Sequence, residues 1–182
     1  SCPAMLLELL SHQNFADMKY GLDPSFRFTV SRAIYKGMLK YMSSRYGQEY
    51  AVQPLPVESV GVSFVKASDD GRHKVQVSWK PVSDPHEPTA DAKGYVIYTR
   101  IDDGAFDNGS VMKDIRKTSS GALAYETEIE PGHIYSYRIA AFNDGGVSFP
   151  SETVSTGHPA TTSENKGNIL IVNNFDRVSG PA

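Results

Sequence analysis

Ile129-Glu130-Pro131-Gly132-His133-Ile134-Tyr135-Ser136-Tyr137-Arg138-Ile139-Ala140-Ala141-Phe142-Asn143-Asp144-Gly145-Gly146 carries a two-residue period: Tyr135, Tyr137, Ile139 and Ala141 share one face of a strand, and Arg138 and Phe142 point the other way. The same period recurs on both sides of it. Upstream, Val60, Val62 and Phe64 alternate with small or polar residues, and Val75, Val77 and Trp79 alternate with Lys74, Gln76, Ser78 and Lys80. Tyr95 and Ile97 begin a third run through Arg100, Val111 to Ile115 holds a fourth, and Tyr125, Thr127 and Ile129 mark a fifth. Downstream, Glu152 to Ser155 reads as the seventh. Asp69-Asp70-Gly71 and Asp102-Asp103-Gly104 supply turn residues that tolerate positive φ. Seven short strands punctuated this way predict a mainly β, antiparallel two-sheet sandwich.

The first 47 residues follow a different rule. Met5 to Leu10 is an apolar run broken only by Glu8, which predicts a buried strand. Asp23-Pro24 supplies a helix start, Val30, Ile34, Met38 and Met42 recur every four residues beside Tyr35, Leu39 and Tyr41, and Gly47 offers a C-cap. A helix over 24–46 with one apolar face is the expectation. A strand and one helix cannot close a core, so that face must lean on the sandwich, pair with another copy by self-association, or stay partly unfolded. Gln53-Pro54-Leu55-Pro56 reads as extended. The expected organisation is therefore a fragment over 1–47, a linker over 48–57, the sandwich over 58–158, a polar linker over 159–167 and the start of another domain over 168–182. Both ends read as cut.

Composition narrows the function classes. The net charge is −3 with lysines and arginines scattered through 182 residues, which argues against nucleic acid or acidic membranes as partners. Cys2 is the single cysteine, and His12, His73, His86, His133 and His158 show no zinc-ligand spacing, so no metal site and no cofactor is expected in this chain. No apolar run approaches the roughly 20 residues of a membrane span.

The stretch from Ile129 to Gly146, followed by Pro150-Ser151, resembles the second half of a fibronectin type III domain, an immunoglobulin-like sandwich. Val77-Ser78-Trp79 and Gly94-Tyr95-Val96-Ile97-Tyr98 occupy the places of that family's core tryptophan strand and the strand after it. The resemblance implies that Tyr135 is a corner tyrosine whose hydroxyl bonds back to the preceding connection. Trp79, Tyr95, Tyr135 and Tyr137 are then core residues, not a sugar platform.

Leu6-Leu7-Glu8, Asn14, Asp17, Leu22-Asp23-Pro24, Phe26, Ala33-Ile34, Gly37 and Leu39-Lys40-Tyr41 resemble the C-terminal end of a zinc-dependent N-acetylmuramoyl-L-alanine amidase domain. That likeness implies a catalytic carboxylate at Glu8 and zinc in the parent protein, whose ligands would lie upstream. Where the family has Gly-Phe soon after the glutamate, this chain has Leu10-Ser11. His12 reads as a surface residue rather than a ligand. Ile169-Leu170-Ile171-Val172-Asn173-Asn174-Phe175 looks like the first strand of a following α/β domain, and the whole arrangement resembles secreted bacterial proteins labelled xanthan lyase. The label implies elimination at uronic acids, for which no base and carboxylate-neutralising cluster can be assembled from this spacing.

Three functions stay open. The chain is a non-catalytic spacer between neighbouring domains of a secreted, periplasmic or cell-surface glycan-degrading protein, an inactive piece of a peptidoglycan amidase contributing Glu8, or a glycan-binding or adhesive module. In the last, Tyr98, Arg100, Arg138 and Phe142, which alternate away from the core, are the candidate binding residues for polysaccharide or peptidoglycan. Asn108-Gly109-Ser110 reads as a turn rather than as a glycosylation acceptor.

Overall fold

A computed structural model of the chain describes residues 4–67 and 73–160. The Asp69-Asp70-Gly71 turn, most of the linker expected over 159–167 and the strand expected near Asn168 lie outside the described residues. The chain divides into two compact units, with the boundary between Gln48 and Glu49.

In the first unit the helix signals act as expected. Helix α2 spans Pro24–Tyr46, the Asp23 carboxylate accepts the Ser25 amide at 2.9 Å, and Gly47 closes the helix at φ +65 while donating to the Ser43 carbonyl. A shorter helix, α1, precedes it over Phe15–Gly21, started by Asn14, whose side chain accepts the Ala16 amide at 3.0 Å. The strand expected at Met5–Leu10 is a correction: these residues form no strand, and Met5 and Leu6 are 74% and 84% exposed. A strand needs a neighbour's amides and carbonyls, and the other described elements of this unit are helices. The stripe on α2 is shielded only in part, with Val30, Ile34, Tyr35 and Leu39 half-buried and Met38, Tyr41 and Met42 exposed.

The second unit is the expected sandwich. One sheet orders strands β1 (Gly61–Ala67), β2 (His73–Trp79), β6 (Leu123–Ile129) and β5 (Arg116–Lys117) as β1-β2-β6-β5. The other orders β4 (Ser110–Val111), β3 (Gly94–Ile101), β7 (Ile134–Asn143) and β8 (Gly146–Val147) as β4-β3-β7-β8, with β9 (Val154–Gly157) also pairing β7. All pairings are antiparallel. The run expected as one strand over Val111–Ile115 is not one: only Val111 is strand, as the end of edge strand β4, residues 112–115 are irregular, and the edge strand of the other sheet, β5, begins at Arg116.

Alternation decides what meets between the sheets. Val75, Val77 and Trp79 of β2 pack with Tyr95 and Ile97 of β3, Ile129 of β6, and Tyr135, Tyr137, Ile139 and Ala141 of β7. Trp79 lies edge-on to Tyr95, with ring centroids 5.2 Å apart. Beyond β8 the chain stays beside β7 through two serines: the Ser148 hydroxyl accepts the Ala141 amide and the Ser151 hydroxyl accepts the Ile139 amide, both at 3.0 Å. These hydroxyls stand where ladder carbonyls would be, so the buried amides of β7 stay paired across Pro150.

The two core tyrosines of β7 differ in their hydroxyls. Tyr135 accepts the Glu130 amide at 3.3 Å, the bond back to the preceding connection that the resemblance implied. The buried Tyr137 hydroxyl has no hydrogen-bond partner among the described residues, and burial raises its pKa. Tyr135→Phe is therefore expected to cost about 0.5–1.5 kcal/mol, whereas Tyr137→Phe costs nothing or stabilises. Urea unfolding of the two variants side by side checks this ordering.

Residues 49–57, expected as a linker, are built into the sandwich. They are neither helix nor strand, as the prolines require, yet Val52 is 0% and Val57 3% exposed and Pro54 is fully buried. The Val52 amide donates to Thr89 Oγ1 at 3.2 Å, and Asn143 Nδ2 donates to the carbonyls of Val52 and Thr89 at 2.8 and 2.9 Å. An extended segment with its polar groups paired can bury its apolar side chains, which proline content alone does not reveal. The chain thus comes in beside Gly145, just past the end of β7, and leaves at Gly157, which pairs with Ile134 at the start of β7. Those two points are separated by the length of the strand, about 30 Å at roughly 3.3 Å per residue.

Candidate functional site

The outer face of the five-stranded sheet gathers the residues that alternation turned away from the core. Tyr98 on β3 is the cross-strand partner of Arg138 on β7, Arg100 is the partner of Ser136, and Phe142 is the partner of Gly94. All four expected binding residues, Tyr98, Arg100, Arg138 and Phe142, are half-buried on this one face. Two glycines make room for the rings. A Cβ at Gly94 would come within 2.5 Å of the Phe142 ring, and one at Gly109 within 2.6 Å of the Tyr98 ring. Gly109 also sits at φ +80, the turn that Asn108-Gly109 announced.

Phe106 completes the patch. The Asp107 carboxylate accepts the amides of Thr99 and Gly109 at 3.0 and 2.9 Å, which folds the loop after β3 back along that strand. The guanidinium carbons of Arg138 and Arg100 then lie 4.4 and 5.2 Å from the Phe106 ring centroid. Arg138 Nε donates to Thr153 Oγ1 at 2.8 Å, and Arg100 Nη2 donates to Ser136 Oγ at 3.2 Å. Ser136 Oγ in turn meets Ser155 Oγ at 2.9 Å. The result is two cations held by a ring and by neutral hydroxyls. Phe106 escaped the sequence reading because loops have no period; its one signal was a lone large aromatic between Asp103-Gly104 and Asp107-Asn108-Gly109.

Residues 61–157, more than half of the 182, match the Fibronectin type III domain family. The chain belongs to that family. Among solved structures it is similar to the sixth fibronectin type III domain of human fibronectin type III domain containing protein 3, at 19% identity over 65% of this chain and 98% of that one, TM-score 0.43. It is also similar to the FN5 domain of Drosophila Lar, at 17% identity over 59% of this chain and 99% of that one, TM-score 0.39. No curated protein sequence matches it.

The remaining expected site residue, Glu8, lies outside the fibronectin type III domain and is exposed, as is His12. Among the described residues no group of three or more His, Cys, Asp or Glu could hold a metal ion, and no helix is long and apolar enough to cross a membrane. Trp79, Tyr135 and Tyr137 are core residues of the domain, as expected.

A second charged pair ties β3 to the turn before β7. Asp102, at φ +50, accepts the Ile134 amide at 2.9 Å through one oxygen and meets His133 Nδ1 at 2.7 Å through the other. The Ile134 amide first and the His133 ring second hold the Asp102 carboxyl below its ordinary range, and the hydrogen bond and charge of Asp102 raise His133. A raised histidine contributes stability fully present below its unfolded pKa, lost as pH rises through the folded value. A depressed aspartate contributes stability present above its unfolded pKa, lost as pH falls through the folded value. The pair thus acts most fully between about pH 4 and about pH 6.5. By NMR titration His133 is expected to titrate above an ordinary histidine and to return toward it in Asp102→Asn, a residue that tolerates the same φ.

Proposed function

We propose that the chain is a non-catalytic fibronectin type III spacer that holds neighbouring domains of a secreted bacterial glycan- or cell-wall-degrading protein apart and aligned. The observation that carries this reading is the separation of about 30 Å along β7 between the points where the chain comes in and leaves, together with the packing of residues 49–57. Packing residues 49–57 into the sandwich fixes where the chain joins it, at the end opposite to the one where it leaves. The test replaces residues 49–160 in the longer protein with a flexible Gly/Ser segment of matching reach. Loss of turnover on an insoluble glycan, with turnover on a soluble fragment kept, supports the spacer. Unchanged turnover on both overturns it.

The amidase-tail reading of residues 1–47 is supported by the likeness around Leu6-Leu7-Glu8 and by the exposure of Glu8, which leaves its carboxylate open to an upstream metal site. Amidase activity in the longer protein that survives Glu8→Gln would sink it. Glycan binding is favoured by one observation, the gathering of Tyr98, Arg100, Arg138 and Phe142 on one outer face. Polysaccharide retention unchanged in Tyr98→Ala with Phe142→Ala removes that reading.

A further inference from the structure

The arginines of the outer face are arranged unlike ordinary surface cations. Arg138 is fixed by its Nε to Thr153, and neither of its terminal amino groups hydrogen-bonds to any described residue. Arg100 is fixed through one terminal group to Ser136, and its buried Nε has no partner among the described residues. Neither forms an ion pair with a described carboxylate. The nearby acid, Asp107, turns an oxygen to the amides of Thr99 and Gly109. With Phe106 against both guanidinium groups, Arg138 is held in place without spending a terminal donor, and Arg100 spends one, on Ser136. A pre-set guanidinium with its end fork open matches a carboxylate, which it can bind through two parallel N–H donors.

We infer that Arg100 and Arg138, held by Phe106, form a site for the carboxylate of a uronate-bearing polysaccharide. This rests on the glycan-binding reading above and adds the sign and chemical class of the ligand. Tyr98, the cross-strand partner of Arg138, sets an aromatic side chain beside the cations, and Phe142 sets another further along the same face. Aromatic rings suit the apolar face of a pyranose. A free anion would need only the cations. A uronate needs both groups.

The test is an NMR titration of the whole chain with oligogalacturonate, with the same oligomer after reduction of its carboxyl groups, and with dextran sulfate. The inference expects oligogalacturonate to perturb the signals of Tyr98, Phe106 and the Arg138 Nε proton, and the carboxyl-reduced oligomer to bind about tenfold or more weakly. Arg138→Gln and Arg138→Lys should each weaken oligogalacturonate binding by about tenfold or more, since lysine keeps the charge but not the fork. No perturbation by oligogalacturonate, or equal binding by the Gln variant, overturns the site. Equal binding of the reduced oligomer, abolished by Tyr98→Ala with Phe142→Ala, overturns the inference while leaving the glycan reading standing. Dextran sulfate binding as tightly at the same residues overturns the carboxylate assignment. The three ligand arms use the unmodified protein, so a variant that fails to fold does not remove the test.

Discussion

Trp79→Ala is expected to lower the stability of the sandwich by about 3–5 kcal/mol, the range for deleting a large buried aromatic. Trp79 is 1% exposed, closes the alternating face of β2 and meets Tyr95 edge-on across the two sheets. Truncation removes the transfer free energy of the indole and leaves a cavity whose lining comes from both sheets, so relaxation of one sheet cannot fill it. The buried indole N–H has no partner among the described residues, so its loss recovers a little of that cost. Urea unfolding should show a lower midpoint at an unchanged slope. Tyr98→Ala, on the outer face, should cost clearly less. Equal costs would mean that the outer face, not the space between the sheets, is the main core.

Gly145→Ala is the second large expected effect, about 1–3 kcal/mol, and its cause lies far away in the sequence. A Cβ at Gly145 would come within 2.5 Å of the Ala51 carbonyl oxygen, 2.6 Å of the Val52 carbonyl carbon and 2.7 Å of the Gln53 nitrogen. All three are backbone atoms, so no side-chain rotation can relieve the clash, and the segment must lift away with Val52 and Pro54. The cost should vanish in a chain trimmed to residues 58–160, where nothing remains to collide with. Comparing the substitution in both chains by thermal unfolding isolates the coupling, as in a double-mutant cycle. A cost that persists in the trimmed chain would place its origin in the turn itself.

These two residues also mark how far the sequence could be read. Trp79 was legible because a strand period and a core face are local properties, as were the limits of α2, written in Asp23-Pro24 and Gly47. Met5–Leu10 was misread because hydrophobicity reports a wish to be buried but not the presence of a partner strand. Helix α1 was missed because seven residues give too few turns for a period to emerge. The packing of residues 49–57 depends on Asn143 and Gly145, contacts that no window along the chain contains. At the outer face, alternation assigned the direction of Tyr98, Arg100, Arg138 and Phe142. It had nothing to say about Phe106, which reaches the arginines from a loop.

Asn143 donates to the Val52 carbonyl across 91 positions of sequence, and that span has a meaning in time. During synthesis residues 49–57 leave the ribosome first, and the side chain that fixes them follows some 5–18 s later at about 5–20 residues per second. Whatever lies ahead of the sandwich therefore has that interval to fold while still on a loose tether. Residues 49–57 themselves are pinned only when the last third of the domain closes behind them.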